Sequence, residues 1–270
     1  MTNGVKTKLV FHFHVQEDFL ENVFYMIHLK CLKKYINNFD EAVFVVTYNE
    51  GDEELAAKAR EEIVKLGFRG DLTLKTRQNT AFREAETFKN EVVDPYFDGL
   101  IFFAHTKGTT NVNFSNVDIS NVYHWVLGMY FINLNSFEQV CSNIIKYSAF
   151  AHGYLPLQSE SDCPYSKYHW AFMGTFQWIN IPLLKEYVRN NEIELPSLSS
   201  RFYAETFLGN IIPCTGSGAF MPILSNVNSV SIVEGPKNYF YGHRELMISE
   251  LGLDTVSDVD KLYNEIFEND

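Results

Sequence analysis

The chain has 270 residues, with 34 acidic and 22 basic side chains, so its formal net charge is −12. A hydrophobic content of 46% and an aromatic content of 15% exclude an intrinsically disordered chain, which lacks the apolar surface that offsets ordering entropy. The net acidity argues against broad nucleic-acid binding, because that binding draws its affinity from phosphate neutralisation. No apolar run approaches the ~20 residues of a membrane span, so we expect no transmembrane segment.

The cysteines and the N-terminus both favour a cytoplasmic protein. The four cysteines are scattered without a CxxC pair, which predicts reduced thiols rather than a zinc site or a disulfide framework. The first residues lack the apolar segment and cleavage site of a signal peptide. We therefore expect a cytoplasmic globular protein, with peripheral association at the inner face of the membrane left open.

In chain order, the first half alternates strand-like and helix-like segments. Short β-rich or apolar runs predict strands over residues 8–15, 42–48, 72–76 and 99–104. Apolar residues at helical spacing, or acids at a helix start, predict helices over residues 19–36, 52–66 and 83–93. This alternation implies right-handed βαβ units and a parallel sheet, in which ligands bind beyond the carboxyl ends of the strands.

The second half predicts mixed elements. Helices are expected over residues 122–147, 183–189, 199–208 and 245–267, and strands over residues 150–157 and 170–178. No internal repeat or convincing linker divides the chain. We therefore expect one α/β domain over residues 1–270, with a mostly parallel sheet flanked by helices and extended by mixed strands.

A polar corner follows the fourth predicted strand at His105, Thr106, Lys107 and Gly108. Lys107 would supply charge to a phosphate, Gly108 would allow close approach of the backbone, and the threonine would supply a hydroxyl. An ordinary strand-to-loop turn explains the same residues equally well, since Gly and Thr are common in turns.

A second polar group, Asn79 and Arg83, follows the third predicted strand. Neighbouring strand ends open onto one crevice, so these side chains could hydrogen-bond a nucleotide base or ribose. Taken alone, the segment fits a turn followed by a helix start better.

Aromatic residues are concentrated over residues 169–178 (HWAFMGTFQW). Gly174 among bulky rings leaves room for a ligand against the backbone, and sugars stack on exposed aromatic faces. His169, Trp170, Gly174 and Trp178 are therefore candidate sugar-binding residues. Core packing is the alternative, and alternating aromatics usually indicate it.

Arg201 and Glu205 have the i, i+4 spacing that places two side chains on one helix face. Glu205 would act as a general base that Arg201 orients, or the two would form a surface ion pair of little energetic weight. Two histidines, His12 and His14, alternate on the first strand, but without a third nearby ligand they do not indicate a metal site.

These segments, taken in order, resemble bacterial glycosyltransferases of capsule and surface-polysaccharide loci and the related rhamnan-synthesis proteins. Residues 96–108 (YFDGLIFFAHTKG) resemble the Tyr-Phe-His-Thr-Lys-Gly segment of that group, and residues 78–84 (QNTAFRE) resemble the segment that precedes it. Residues 125–131 (WVLGMYF), 169–178 and 201–207 (RFYAETF) are similar to three later motifs. Val126 stands where the group has Arg, Thr175 where it has Asn, and Gln177 where it has Trp.

The resemblance implies a GT-A-like fold in which a Rossmann-like nucleotide-sugar-binding half, residues 1–115, is fused to an acceptor half with C-terminal helices, residues 116–270. It implies a hexosyltransferase-like enzyme, expected to invert, that moves a sugar from a nucleotide-diphosphate donor to a glycan or lipid-linked acceptor in polysaccharide biosynthesis. The alternatives are a catalytically silent sugar-nucleotide or glycan-binding protein on the same fold, and another nucleotide-dependent enzyme such as a nucleotidyltransferase.

Metal use stays open at the sequence level. Enzymes of this architecture usually hold Mn²⁺ or Mg²⁺ through Asp-x-Asp at the end of the fourth strand, where this chain has His105 and Lys107. These two side chains would supply positive charge without a metal, or His105 would ligate one together with an acid such as Asp118 or Asp162.

Overall fold

The computed structural model describes residues 4–16, 22–106, 126, 129–146, 148–153, 175–212 and 221–222. The strands of these ranges form one seven-stranded sheet of order β3-β2-β1-β4-β6-β5-β7. They are β1 (Lys6–His14), β2 (Glu41–Tyr48), β3 (Asp71–Gln78), β4 (Gly99–His105), β5 (Ala151–Gly153), β6 (Gln177–Asn180) and β7 (Met221–Pro222).

The strand directions divide the sheet into a parallel part and a mixed part. The first four strands are parallel to one another, while β6 runs antiparallel to both β4 and β5, and β7 is parallel to β5. The expected α/β fold, a mostly parallel, Rossmann-like sheet with mixed strands in the second half, is therefore confirmed.

Helices cover both faces of the sheet. The α-helices of the described ranges are α1 (Val23–Tyr35), α2 (Glu53–Lys65), α3 (Glu84–Phe88), α4 (Phe137–Lys146), α5 (Ile181–Asn190) and α6 (Tyr203–Ile211). Helices α1, α2 and α4 contribute to the core on one face, and α3, α5 and α6 to the core on the other. None of the helices in the described ranges is both long and apolar enough to cross a membrane.

Strand β4 is buried at every position because helices lie on both of its faces. Its residues Leu100 and Phe102 face the α1 side, and Ile101 and Phe103 face the α6 side. A continuous apolar sequence is therefore the pattern that this central strand requires.

Strand β6 joins the second half of the chain to the first. Its Trp178 pairs with Phe102 of β4, and its indole Nε1 donates to the carbonyl oxygen of Asn133 at 3.0 Å. The Trp178 ring packs against Phe39 and Phe137 and has no exposed surface. The prediction that Trp178 binds a sugar is therefore wrong, since no face of the ring is available.

Several predicted boundaries also differ from the structure. The helix expected over residues 122–147 contains a π-helical turn at Phe131–Asn135, so that α4 begins only at Phe137. The strand expected to end at residue 178 begins at Gln177, after Thr175 with a positive φ of 58°. The helix expected over residues 83–93 is α-helical only to Phe88 and continues as the π-helical turn Lys89–Val93. The helix expected over residues 245–267 lies outside the described residues.

Candidate functional site

Polar residues interrupt the apolar sheet at the carboxyl ends of its parallel strands. His12 and His14 lie at the end of β1, Thr47 near the end of β2, and His105 and Thr106 at the end of β4. All five are buried. His12 is paired with His105 in the β1–β4 register. The structure thus brings the predicted residues His105 and Thr106 together with two histidines of the first strand.

Thr106 ties the ends of β1 and β4 together. Its backbone N–H donates to the carbonyl oxygen of His12 at 3.0 Å, and its Oγ1 accepts from the backbone N–H of His14 at 3.1 Å. The Tyr25 hydroxyl donates to the carbonyl oxygen of His14 at 2.5 Å. These bonds satisfy the backbone of His14 and hold it in place at the strand end.

The two histidine rings belong to a series of side-chain hydrogen bonds. His12 Nδ1 lies 2.8 Å from Thr87 Oγ1 on α3, and His12 Nε2 lies 3.4 Å from Thr47 Oγ1. Thr47 Oγ1 in turn lies 3.2 Å from His14 Nδ1. At the far end, Arg77 Nη2 donates to Thr87 Oγ1 at 2.8 Å.

Burial keeps both rings neutral near pH 7. It lowers the pKa of His12 to about 3, although the nearby Glu84 carboxylate acts in the opposite direction. Burial also lowers the pKa of His14, against the effect of the Thr47 backbone and of Glu84. Both rings therefore form their hydrogen bonds to the threonines in the neutral state.

An ion pair anchors Arg77 at the edge of the sheet. Its Nη1 lies 2.5 Å from Glu86 Oε2, which also accepts from the Thr80 hydroxyl at 2.6 Å. Burial would raise the pKa of Glu86, but the hydrogen bonds from Thr80 and Arg77 outweigh it and lower the pKa. The guanidinium is thus held in place for its bond to α3.

Asn79 and Arg83 lie beyond the end of β3, where they were expected. The Asn79 backbone N–H donates to the carbonyl oxygen of Tyr48, while its buried Oδ1 has no hydrogen-bond partner among the described residues. Arg83 is exposed and has a φ of 49°, in the left-handed region that favours glycine. Buried acceptors without partners and strained non-glycine residues are both features of ligand sites.

Helix α6 brings Glu205 to the same edge of the sheet. Gln177 pairs with Phe103 of β4, two residues before His105, and its Nε2 donates to the carbonyl oxygen of Ala204 at 2.7 Å. The first turn of α6, with the half-buried Glu205, is therefore held beside the end of β4.

Arg201 does not share a helix face with Glu205. It lies in the turn before α6, which begins only at Tyr203, and its guanidinium lies 4.6 Å from the centre of the Phe202 ring. The prediction of an i, i+4 helical pair is therefore wrong. The helix expected over residues 199–208 therefore begins only at Tyr203. In the turn before it, the Ser200 hydroxyl oxygen accepts from the backbone N–H of Phe202.

The described residues do not offer a ligand set for a hard divalent cation. Mn²⁺ and Mg²⁺ prefer several oxygen ligands, whereas the sheet edge presents neutral imidazoles and hydroxyls. No group of three His, Cys, Asp or Glu within the described ranges could hold a metal ion. The candidate ligands Asp118 and Asp162 lie outside the described residues.

Other predicted site residues also lie outside the described part of the chain: Lys107, Gly108, His169, Trp170 and Gly174. Sequence reasoning set aside His12 and His14 because it asked only whether they bind a metal. The sequence did contain a signal for their role. Two histidines near the end of an otherwise apolar strand are expected to be buried, and buried rings require hydrogen-bond partners.

No protein-family model matches the sequence, and no curated protein matches it either. Among solved structures, 4-diphosphocytidyl-2C-methyl-D-erythritol synthase from Anaerococcus prevotii is similar over 75% of this chain and 82% of that chain, with 12% identity and a TM-score of 0.37. TarS 1–349 from S. aureus, solved in complex with UDP-GlcNAc, is similar over 97% of this chain and 71% of that chain, with 11% identity and a TM-score of 0.34. Both are distant structural similarities.

Proposed function

We propose that this chain is a glycosyltransferase that moves a sugar from a nucleotide-diphosphate donor to a glycan or lipid-linked acceptor. One observation carries the proposal: polar residues that resemble a glycosyltransferase motif lie at the carboxyl ends of parallel strands, the usual ligand edge of such sheets. The donor side would come from the first half of the chain and the acceptor side from α6.

On the donor side, His105 and Lys107 would bind the diphosphate. Negative charge grows on this leaving group in the transition state, so positive charge or hydrogen-bond donors at that position lower the barrier. Asn79 would bind the base or ribose, because its buried Oδ1 lacks a partner in the described part of the chain and would accept an N–H or O–H from a nucleoside. Arg83 would contribute charge at the same strand end.

On the acceptor side, Glu205 would act as the general base. The acceptor oxygen forms a bond to the anomeric carbon while Glu205 takes its proton, and the bond from that carbon to the diphosphate oxygen breaks with the electron pair leaving on the diphosphate. A single displacement of this kind inverts the anomeric configuration. The Gln177–Ala204 hydrogen bond supports this role, since it holds the first turn of α6 beside the end of β4.

Thermal-shift measurements with UDP-, GDP-, CMP- and dTDP-sugars test the proposal. A ligand at 100 times its dissociation constant stabilises a protein by about 2.7 kcal/mol, which raises the melting temperature measurably. We expect one nucleotide class to stabilise the protein, and stabilisation by none would contradict the proposal.

An activity assay with the stabilising donor then separates the candidate functions. Transfer to an acceptor, or slow hydrolysis of the donor, would support a glycosyltransferase. Binding with neither reaction would identify a silent sugar-nucleotide-binding protein. In a separate assay with a nucleoside triphosphate and a sugar phosphate, formation of a nucleotide sugar with release of pyrophosphate would identify a nucleotidyltransferase. Repeating the assay after chelator treatment tests metal dependence.

A further inference from the structure

The series of buried hydrogen bonds between Arg77 and His14 has a direction. Its members are Arg77, Thr87, His12, Thr47 and His14, and consecutive polar atoms lie 2.8 to 3.4 Å apart. The two threonines and His12 are almost wholly buried, so bulk water cannot rearrange their protons freely. We call this series the histidine–threonine chain.

The direction is set at Arg77, because a guanidinium can only donate. Thr87 Oγ1 accepts from Arg77 Nη2, and its single hydroxyl proton needs an acceptor of its own. Within the described ranges, the remaining hydrogen-bond partner of Thr87 Oγ1 is His12 Nδ1, at 2.8 Å. His12 therefore accepts at Nδ1, and a neutral imidazole that accepts at one nitrogen carries its proton on the other.

The same reasoning continues to the end of the chain. His12 donates from Nε2 to Thr47 Oγ1, whose own proton then points to His14 Nδ1. A neutral His14 that accepts at Nδ1 carries its proton on Nε2, whereas donation from Nδ1 to the Thr47 backbone would require the opposite tautomer. No hydrogen bond joins Nε2 to a residue of the described ranges, and His14 retains 9% of its surface exposed.

We propose that the histidine–threonine chain fixes His14 as an Nε2–H donor that binds an acceptor oxygen of the nucleotide, either a phosphoryl oxygen or a carbonyl oxygen of the base. Only the choice of ligand rests on the proposed function, since the direction of the chain follows from the free protein. His14 is then a ligand-binding residue, and Arg77, Thr87, His12 and Thr47 are positioning residues. The Arg83 guanidinium acts on His14 electrostatically, so a ligand oxygen there would also meet positive charge.

The tautomer of His14 in the free protein is the first test. Long-range ¹H–¹⁵N correlation spectra at pH 7.5 distinguish a protonated from an unprotonated ring nitrogen. We expect Nε2 of His14 to be protonated and Nδ1 to be unprotonated. Protonation at Nδ1, a mixture of tautomers or an imidazolium would overturn the proposal.

Variants then test whether the tautomer is set through the chain. Thr87→Val removes the hydroxyl that fixes His12, so the His14 tautomers should mix, whereas Thr87→Ser should restore the Nε2–H form. Thr7→Val is a matched control. Thr7 is also a buried threonine, and it lies on β1, the strand that carries His14, but at the opposite end of that strand. An unchanged His14 spectrum in Thr87→Val would contradict the chain, and the wild-type spectrum tests it even if this variant does not fold.

Ligand titrations identify the bound oxygen. A shift of the His14 Nε2–H resonance with inorganic pyrophosphate but not with nucleosides indicates a phosphoryl oxygen, and the reverse indicates a base carbonyl. The nucleoside probes are uridine, guanosine, cytidine and thymidine. A nucleotide sugar that raises the melting temperature but leaves this resonance unmoved would overturn the ligand role of His14. Failure of every nucleotide to bind would instead contradict the proposed function, while the tautomer would still decide the direction of the chain.

Discussion

A histidine inside an apolar strand costs free energy unless its ring is hydrogen-bonded, and His12 meets this condition through threonines on β2 and α3. The arrangement is compatible only with the neutral ring, because a protonated ring would be both desolvated and left with one donor too many. The same residue therefore supports the site at neutral pH and weakens the fold in acid.

The pH dependence of stability follows from the pKa of His12, which is about 3 when folded against 6.5 for the unperturbed group. Above pH 6.5 both states are neutral and this stability is fully present. As the pH falls below 6.5, His12 binds a proton in the unfolded state but not in the folded state. The free energy of unfolding therefore decreases until about pH 3. We expect the free energy of unfolding in urea to fall by about 1.4 kcal/mol between pH 7.5 and pH 5.5 from this group.

The His12 prediction has a direct check. The ring resonances of His12 should not titrate between pH 7.5 and pH 5, and His12→Asn should flatten the dependence of unfolding on pH over this range. A His12 ring that becomes protonated near pH 6.5 in the folded protein would contradict it.

Glu205→Gln tests the proposed base while preserving the shape of the side chain. We expect turnover to fall by about 100-fold or more with donor affinity retained, because the amide cannot take the acceptor's proton. Donor affinity is measured by titration and turnover by product formation. Glu186→Gln is the control, since Glu186 is exposed on α5 and should have no effect. Near-normal turnover of Glu205→Gln would exclude the catalytic role.

Lys107→Ala tests the diphosphate site. We expect weaker donor binding and slower transfer with an almost unchanged melting temperature, because a lysine that follows an apolar strand in sequence is predicted to bury little apolar surface. Lys58→Ala is a matched control for lost charge on the exposed surface of α2. Equal donor affinity in wild type and Lys107→Ala would remove Lys107 from the site.

At the scale of elements, the start of β4 depends on a glycine. A Cβ at position 99 would overlap the carbonyl oxygen of Lys6 on β1 and approach the Phe97 ring at 2.8 Å. Gly99 thus permits the close approach of the two central strands that carry His12 and His105.

Gly99→Ala should therefore destabilise the fold by about 1–3 kcal/mol through overpacking, measured as the free energy of unfolding in urea. Gly67→Ala is the control, since it replaces a glycine without creating a steric clash. Gly67 has a positive φ of 71°, but nothing lies within 4 Å of the position that its Cβ would take. Its cost should be limited to backbone strain of about 1–2 kcal/mol. A Gly99→Ala protein as stable as wild type would mean that β1 and β4 can separate without cost.

At the scale of the whole molecule, the sheet and both core clusters of the described residues include residues from both halves of the chain. Strand β6 pairs with β4, and Trp178 packs against Phe39 and Phe102. Unfolding one half would therefore expose the apolar surface of the other.

A single domain remains a prediction, and its cooperativity is measurable. We expect one calorimetric transition whose van't Hoff and calorimetric enthalpies agree, because the halves share a core. Two resolved transitions would contradict a single domain. The variant Trp178→Phe should lower the temperature of that one transition rather than split it.

Local sequence patterns alone determined the order of the strands and helices in the first half. Continuous apolar runs and helical spacing depend on neighbours in sequence, so all four parallel strands lie within a few residues of their predicted bounds. The positions of His105 and Asn79 at strand ends followed from the same patterns, since a polar residue after an apolar run marks where a strand leaves the core.

Only the tertiary structure decided which polar residues meet. His12 meets Thr87 across 75 positions of the chain, and His14 meets Thr106 across 92. Such contacts depend on strand order and on the face that each helix covers, and neither is encoded within a short window of sequence. For the same reason Trp178, one of several aromatics in a row, could be placed in the core only after β6 was found beside β4.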